Sequence, residues 1–259
     1  MSFDLNLSGR TALITGASRG IGRAIAHAFA EQGCDLHLAS RTESDLRKAE
    51  DEIRGQFNVK VTIHPSDLAD GEACRRLATA SGDVNILVNN AGAIPSGDLL
   101  SIDEDRWRKA WDLKVFGFIN LSRAIYAGMK TRKRGVIVNI MGGAGERPDA
   151  AFIVGSAGNA GLAAFTRALG GRSLDDGIRV VGINPGIIAT ERMQMLLEDR
   201  AEKTHGDRSR WQEFTAALPL GRGGKPSEVA DAVLFLSSDR ASYISGTVLT
   251  VDGGATNRR

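Results

Sequence analysis

The sequence predicts an α/β fold in which a parallel sheet of about seven strands carries helices on both faces. Short β-branched apolar runs alternate along the chain with longer segments of helical period. No repeat or Pro/Ser-rich linker divides the 259 residues, a length that fits one domain with a sizeable core. Because strands that alternate with helices imply right-handed crossovers, we expect a single doubly wound domain of the Rossmann type.

The apolar runs define the predicted strands in chain order. They are residues 11–15, 35–40, 59–64, 84–89, 135–140, 178–184 and 247–251. The first connecting segment places Ile21, Ile25, Ala28 and Phe29 on one helical face, and Gly33 is typical of a helix stop. In a sheet wound in this way, ligands bind outside the carboxyl ends of the strands.

Composition narrows the range of partners. Lys and Arg number 33 against 31 Asp and Glu, and the net charge of +2 favours neither nucleic acid nor an anionic membrane. No apolar run approaches the roughly 20 residues of a membrane span, and the first residues lack a signal-peptide pattern. Cys34 and Cys74 suit reduced thiols, so we expect a cytoplasmic protein, and we assign no metal site.

The turn after the first predicted strand is typical of a dinucleotide-binding loop. Thr15 is followed by glycine at positions 16, 20 and 22, and a helix begins at once. Glycines allow a tight turn and close approach of the backbone to a pyrophosphate, and the helix N-terminus offers free N–H groups to it. A glycine cluster alone is weak evidence, but the order strand, turn and helix favours a nucleotide site.

With three later motifs, this loop resembles the short-chain dehydrogenase/reductase family. The motifs are Asn89–Gly92, Pro185–Gly186 and the C-terminal pair 244–246 and 251–254, and they occur in family order over nearly the whole chain. The resemblance implies hydride transfer between a nicotinamide cofactor and a small carbonyl or alcohol substrate. It also implies a homo-oligomer, a tetramer or dimer, built through helices 101–130 and 157–173 and the last strand, and a substrate lid at about 191–217.

The resemblance also implies a set of cofactor-binding residues. They are Gly16, Ser18, Arg19, Gly20, Ile21, Gly22, Ser40, Arg41, Asp67, Leu68, Asn90, Ala91, Gly92, Val115, Pro185, Gly186, Ile188 and Thr190. Sites for NAD usually carry a carboxylate at the end of the second strand, where this chain has Ser40 and Arg41. With Arg19 nearby, two guanidinium groups suit a 2′-phosphate and favour NADP over NAD, unless both are solvated surface charges.

The residues that normally carry the family's proton transfer are missing. The register of the flanking segments puts Gly155 at the position of the family's tyrosine and Asn159 at that of its lysine. Gly142, after Met141, falls where the serine stands, and Lys114 replaces the asparagine. We therefore expect an atypical member that lacks the usual Asn-Ser-Tyr-Lys set, which excludes the standard Tyr/Lys mechanism.

Two tyrosines remain, and neither is expected to replace the missing one. Tyr126 and Lys130 match the spacing Tyr-x-x-x-Lys, but they precede the strand 135–140, whereas the family's pair follows it. We interpret them as a helix-terminal aromatic with a solvated lysine. Tyr243 is predicted to lie in the loop before the last strand.

Several residues are candidates to replace the missing set. Lys114 and Asn159 form a swapped lysine/asparagine pair if Lys114 enters the cleft, whereas a lysine here can also extend to the surface. Glu146 and Ser156 are candidate catalytic residues, because a desolvated carboxyl can act as an acid near neutrality. Arg147 and Asp149 belong to the same loop, which otherwise carries exposed charges.

Two functions therefore remain open. The first is an NADP(H)-dependent oxidoreductase with relocated proton transfer, in which a glycine-lined floor admits a bulky substrate beside Phe152 and Ile153. The second is a catalytically inactive or regulatory protein that binds NADP(H) and transfers no hydride. In the lid, Met193 and Met195 suit an apolar wall, and arginines such as Arg192 either meet an acidic substrate or face water.

Overall fold

Seven parallel strands form the central sheet of the computed structural model, which describes residues 4–258. They are β1 (Thr11–Thr15), β2 (Asp35–Ser40), β3 (Val61–Pro65), β4 (Ile86–Asn89), β5 (Gly135–Ile140), β6 (Ile178–Pro185) and β7 (Val248–Val251). The spatial order is β3-β2-β1-β4-β5-β6-β7, so the strand order reverses between β1 and β4. This confirms the doubly wound Rossmann fold, and the reversal is the place where such sheets bind ligands.

Helices connect the strands and cover the sheet. They are α1 (Gly20–Glu31), α2 (Glu43–Gln56), α3 (Gly71–Ser81), α4 (Glu104–Trp111), α5 (Gly117–Arg132), α6 (Ile153–Gly170), α7 (Glu191–His205), α8 (Gln212–Ala216) and α9 (Pro226–Ser237). Successive residues of a strand face opposite layers, since Ile14 packs in one apolar cluster with α1 and α9 while Leu13 packs in another with α5. No helix among residues 4–258 is long and apolar enough to cross a membrane.

The predicted strands agree with the structure, with small shifts at their ends. β3 and β4 begin two residues later than expected, at Val61 and Ile86. Asn85, just before β4, bonds Thr11 through its side chain, since Thr11 N donates to Asn85 Oδ1 at 2.8 Å. Gly33 follows α1 in the left-handed conformation (φ 75°), which a glycine stop requires. Cys34 and Cys74 are both free and buried.

The connection from β4 to β5 contains an irregular turn that bears on the site. Asp103 caps α4, accepting a hydrogen bond from Arg106 N, and the chain then passes through a π-helical segment, Asp112–Phe116, into α5. Such π turns interrupt the regular spacing of a helix and are frequent at functional sites. Here the π segment carries Lys114 on its inner side, where the side chain is buried.

Candidate active site

A cleft of about 1910 Å³ opens at the carboxyl ends of the strands. Its walls are the glycine loop after β1, the ends of β2, β4, β5 and β6, and the first turns of α7. Its volume is larger than an ordinary small-ligand pocket, so the cleft has room for a dinucleotide and a second molecule.

The glycine loop after β1 leaves no space for side chains. Gly16 and Gly20 adopt positive φ of 64° and 54°. A methyl group on Gly22 would come within 2.2 Å of Gly16 O, so α1 packs directly on the loop. Ser18, Arg19, Gly20 and Ile21 line the cleft in front of the α1 N-terminus, whereas Gly22 lies behind them. This arrangement suits a phosphate group.

Thr15 joins this loop to the end of β4. Its hydroxyl accepts from Asn90 N at 2.9 Å and from Ala91 N at 3.0 Å, and Asn90 Nδ2 donates to Thr15 O at 3.0 Å. Asn90, Ala91 and Gly92 line the cleft beside the glycine loop. This role of Thr15 was not predicted, and the signal in the sequence was a polar residue at the end of an apolar strand, directly before the glycine loop.

Positive groups surround the end of β2. Ser40 Oγ is buried and has no hydrogen-bond partner among the described residues, and Arg41 lies beside it, exposed at the cleft wall. Lys48 of α2 lines the same wall and was not anticipated. Arg19 Nη2 lies 2.7 Å from Asp45 Oδ2, so its charge is partly engaged. An unpartnered hydroxyl among three cations fits a phosphate monoester.

The remaining cofactor candidates are divided between the cleft wall and its surroundings. Those that line it are Leu68, Pro185, Gly186, Ile188 and Thr190, and Thr190 also caps α7 by accepting from Met193 N. Asp67 instead accepts from Ala69 N with its own Oδ1, and the cleft next to it is lined by Ser66. Val115 packs in an apolar cluster with Phe118, Met141 and Leu162 rather than on the cleft wall.

Lys114 is the buried cation of the cleft. Its residue is 6% exposed, and Nζ donates a 2.6 Å hydrogen bond to Ile140 O at the end of β5. The stem lies against Gly92, where an added methyl would come within 2.7 Å of Lys114 Cδ. Nζ also stands 4.6 Å from the centre of the Phe118 ring. The lysine therefore enters the cleft and does not extend to the surface.

The surroundings of Lys114 weaken its hold on a proton. Desolvation by burial, followed by repulsion from Arg192, lowers its pKa from 10.5 to about 7. A lysine with a pKa near 7 exchanges protons readily at neutral pH, which is the property that general acid–base catalysis requires. The cation–π contact with Phe118 only partly offsets the loss of water.

Asn159 of α6 faces the same cleft. It is buried, and its Oδ1 has no hydrogen-bond partner in residues 4–258. A methyl on Gly142 would lie 2.9 Å from Asn159 Nδ2, so the absent side chain at 142 leaves space for this amide. Lys114 donates to Ile140 O rather than to Asn159, and both side chains line the cleft. Asn159 therefore lines the cleft, while its Oδ1 is a buried acceptor without a partner among the described residues.

An aromatic ring fills the space beside Gly155. A methyl group at that position would come within 1.9 Å of Phe152 Cε1, so Gly155 and Phe152 are sterically interlocked. Phe152 lines the cleft, whereas Gly155 lies buried beneath it. Any side chain at 155 requires the ring to move.

Ser156 and Glu146 form hydrogen bonds within the protein, one between α6 and the β5–α6 connection and one to β7. Ser156 Oγ accepts from Asp149 N at 2.9 Å, and Glu146 Oε2 accepts from Thr250 Oγ1 at 2.9 Å. Neither Ser156 nor Glu146 lines the cleft, although Asp149 and Arg147 do. These contacts fix the loop between β5 and α6 and were not readable from the sequence, since both partners depend on the tertiary fold.

Both tyrosines lie away from the cleft. Tyr126 Oη donates to Asp176 Oδ2 at 2.8 Å, and Lys130 Nζ lies 3.2 Å from Asp176 Oδ1. Lys130 is therefore in an ion pair and is not merely solvated, because Asp176 approaches both members of the motif. Tyr243 is 98% exposed just before β7. No group of three His, Cys, Asp or Glu side chains in the described chain is arranged to hold a metal ion.

Arg192 links the lid to the cleft floor. From the first turn of α7, its Nη1 donates to Gly92 O at 2.9 Å and its Nη2 to Ile94 O at 2.8 Å. Met193, Met195 and Leu196 line the cleft on the same helix. Sequence reasoning placed this segment near the substrate but did not anticipate that its arginine bonds the loop after β4.

Comparison with known proteins assigns the family. Residues 16–256 match the family model described as Enoyl-(Acyl carrier protein) reductase. The chain is 36% identical over 253 residues to galactitol 2-dehydrogenase (L-tagatose-forming) of Cereibacter sphaeroides, covering 96% of each chain. It is 33% identical over 251 residues to the 3-oxoacyl-(acyl-carrier-protein) reductase of Vibrio cholerae, covering 96% of this chain and 98% of the relative.

Solved structures agree with this assignment. L-sorbose reductase from Gluconobacter frateurii, complexed with NADPH and L-sorbose, superposes with a TM-score of 0.93 at 30% identity and covers 99% of this chain and 100% of its own. A putative gluconate 5-dehydrogenase from Beutenbergia cavernae, with bound NADP, gives a TM-score of 0.89 at 32% identity, with 98% and 100% covered. On its fold, its motifs and these matches, the chain belongs to the short-chain dehydrogenase/reductase family.

Proposed function

We propose that the protein is an NADP(H)-dependent oxidoreductase that interconverts a carbonyl and an alcohol, with Lys114 as the group that exchanges the proton. The observation that carries this proposal is the burial of Lys114 in the cleft, with Nζ bonded to Ile140 O at 2.6 Å. The relatives include enzymes named for galactitol, L-sorbose and gluconate, all of which are polyhydroxylated compounds. A carbonyl/alcohol pair is the chemistry they share.

The cleft fits NADP in preference to NAD. The unpartnered Ser40 hydroxyl, with Arg41 and Lys48 on the same wall, would hold the 2′-phosphate. The glycine loop and the α1 N-terminus would hold the pyrophosphate. NADPH and NADP are present in the structures of two similar proteins. When bound, the cofactor supplies or accepts the hydride at its nicotinamide ring.

Lys114 and Asn159 would act on the substrate oxygen together. An ammonium group with a pKa of about 7 can donate a proton to the oxygen of a reduced carbonyl and recover it from water. The Ile140 carbonyl orients Nζ, and the free Asn159 amide would hold either the oxygen or a relaying water. Glu146 and Ser156 would act indirectly, by holding the loop from β5 to α6 through Thr250 and Asp149.

We also propose a homo-oligomer with the lid over the substrate and a cytoplasmic location. Phe116, 49% exposed just before α5, and Leu249, 40% exposed on β7, lie on two of the three elements that such an assembly would use, the third being helix 157–173. The buried free thiols of Cys34 and Cys74 fit a reducing compartment.

A second function, a catalytically inactive or regulatory NADP(H)-binding protein, has one observation in its favour. Neither Tyr126 nor Tyr243 lines the cleft, so the proton donor usual in the family has no counterpart there. This function uses the same nucleotide-binding wall and differs only at the substrate end.

The two functions differ in hydride transfer. NADPH deuterated at nicotinamide C4 is incubated with the protein and a panel of ketones and aldehydes, including ketoses, and products are analysed by mass spectrometry. Deuterium on the product alcohol supports the enzyme. NADPH binding by calorimetry, with no deuterium in any product from the panel, overturns the enzyme and supports the binding protein.

A further inference from the structure

We propose that the substrate of this oxidoreductase carries a carboxylate, and that Arg192 binds it at the mouth of the cleft. The inference rests on the proposed function and adds the substrate class. Two cationic side chains, Arg192 and Lys114, both contact Gly92. Arg192 Nη1 donates to Gly92 O, while the stem of Lys114 lies against the Gly92 Cα.

Both cations are bonded only to main-chain carbonyls in the described part of the chain. Arg192 donates to Gly92 O and Ile94 O, and Lys114 donates to Ile140 O. Neither has an ion pair within residues 4–258, in contrast to Arg19, which pairs with Asp45 on the nucleotide side of the same cleft. Two cationic groups beside a low-dielectric wall and without a counter-ion make this part of the cleft positive, and Arg192 carries most of the charge at neutral pH because the pKa of Lys114 is lowered to about 7.

None of the carboxylates that line the cleft forms an ion pair with Arg192 or Lys114 within residues 4–258. Asp45 and Glu228 pair with Arg19 and Arg222 instead. Asp149 accepts from Ala151 N, and Asp252 accepts from Gly254 N and Thr256 N, so both are held by local main chain. Glu191 lines the cleft beside Arg192 but forms no ion pair with it. Among the described residues, Arg192 is the charged group whose repulsion adds to desolvation in lowering the pKa of Lys114. An anionic ligand would therefore meet little competition.

The Arg192 guanidinium keeps N–H groups that form no hydrogen bond among the described residues. Arginine has five N–H groups, and the two bonds of Arg192 leave Nε–H and one N–H on each Nη. A planar fork of this kind suits a carboxylate, which accepts two parallel hydrogen bonds. Ile94, Phe152, Met193, Met195 and Leu196 line the adjacent wall. The site thus fits an oxo acid with its carbonyl toward Lys114, its carboxylate on Arg192 and an apolar body.

The test pairs each acid with a neutral analogue. Oxo acids of four to ten carbons and their primary amides are assayed for kcat/KM with NADPH, and wild type is expected to prefer the acid at least tenfold. Arg192→Gln is expected to lower kcat/KM for the acid about 10- to 100-fold, mainly through KM, with the amide changed less than about threefold. Arg192→Lys keeps the positive charge, and its kcat/KM for the acid is expected to lie between the values of wild type and Arg192→Gln.

Arg200→Gln is the matched control, since Arg200 lies on the same helix over the Phe214 ring and outside the cleft wall. Its preference for the acid should equal that of wild type. If Arg192→Gln lowers acid and amide equally, Arg192 only holds the lid, and the proposal is wrong. Equal wild-type kcat/KM for acid and amide also overturns it.

A binding measurement separates this proposal from the proposed function. The corresponding hydroxy acids are titrated calorimetrically into protein saturated with NADP⁺. If no carbonyl is turned over but the hydroxy acids bind and Arg192→Gln abolishes their binding, the carboxylate site stands and the enzymatic function fails. If carbonyls are turned over but the acids bind no better than their amides, the enzymatic function stands and the carboxylate site fails.

Discussion

The two ends of the cleft are built in different ways. At the nucleotide end, the pyrophosphate site is built from backbone: Gly16 and Gly20 have positive φ, and Gly22 packs on the Gly16 carbonyl. At the substrate end, the groups that matter are side chains, Lys114 and Asn159, which reach the cleft from a π-helical segment before β5 and from α6 after it. Backbone sites tolerate almost no substitution, whereas a side-chain function can move to another element that borders the same space.

This difference bears on the proposed relocation of proton transfer. The nucleotide end keeps the family's motifs in order, while the register of the sequence predicts Gly142, Gly155, Lys114 and Asn159 at the four positions of the family's usual proton-transfer set. Two experiments each alter one end while the other serves as its reference, and a third tests the titration of Lys114 at the substrate end.

The largest effect is expected from Lys114→Met. The variant removes the proton donor and keeps a similar buried shape, so kcat/KM for carbonyl reduction should fall about 10²- to 10⁴-fold. The Kd of NADPH, which is set at the other end, should change less than about tenfold. Steady-state kinetics and fluorescence titration measure the two quantities.

Lys130→Met is the control for this substitution. Lys130 pairs with Asp176 away from the cleft, and kcat/KM should remain within about twofold of wild type, as for other surface ion pairs. A Lys114→Met enzyme that retains most of its activity would show that water or another residue supplies the proton.

A smaller effect is expected from Arg41→Asp at the nucleotide end. A carboxylate beside Ser40 repels a 2′-phosphate and can accept from a ribose hydroxyl, so the ratio of NADPH to NADH affinity should fall about 10- to 100-fold. The kcat with the preferred carbonyl should change little once the cofactor is saturating. Arg47→Asp, at an exposed α2 position that pairs with Glu43, is the control. An unchanged cofactor ratio in Arg41→Asp would refute the assignment of the 2′-phosphate site.

The third experiment concerns stability and pH. Because the pKa of Lys114 falls to about 7 on folding, the unfolded chain binds more protons between about pH 7 and 10.5. The cost of the buried charge is fully present below pH 7, and the free energy of unfolding gains up to about 1.4 kcal/mol per pH unit above it.

Lys114→Met lacks this contribution. The difference in unfolding free energy between wild type and variant, from urea titrations at pH 7.0 to 9.5, should shift in favour of wild type as the pH rises. Parallel pH curves for the two proteins would mean that Lys114 titrates normally, and the catalytic role argued from its lowered pKa would lose its basis.

The sequence predicted the sheet and its order of elements well, and it predicted the candidate site only in part. Strand periodicity located all seven strands, with shifts of only two residues where Val61 and Ile86 begin β3 and β4. Those starts depend on neighbours, as with Asn85, whose side chain bonds Thr11 on the adjacent strand. The glycine loop could be predicted because its conformation depends on the residue types within the loop itself.

The side-chain arrangement at the substrate end was harder to predict because several of its contacts join residues that are distant in the sequence. The register of the sequence left Lys114 either buried or exposed, and its burial depends on the π-helical turn and on the absence of a side chain at Gly92. Ser156 and Glu146 were reasonable candidates by position, but their partners, Asp149 and Thr250, are brought to them by folding. Arg192 bonds residues about a hundred positions away.

The contact between Phe152 and Gly155 has a consequence for the shape of the cleft. Because a side chain at 155 collides with the Phe152 ring, a larger residue at 155 requires that ring to rotate or to be replaced by a smaller side chain. The ring is partly exposed on the cleft wall, so its rotation takes space from the ligand. Paired substitutions at 152 and 155 are therefore the direct way to reshape this part of the cleft.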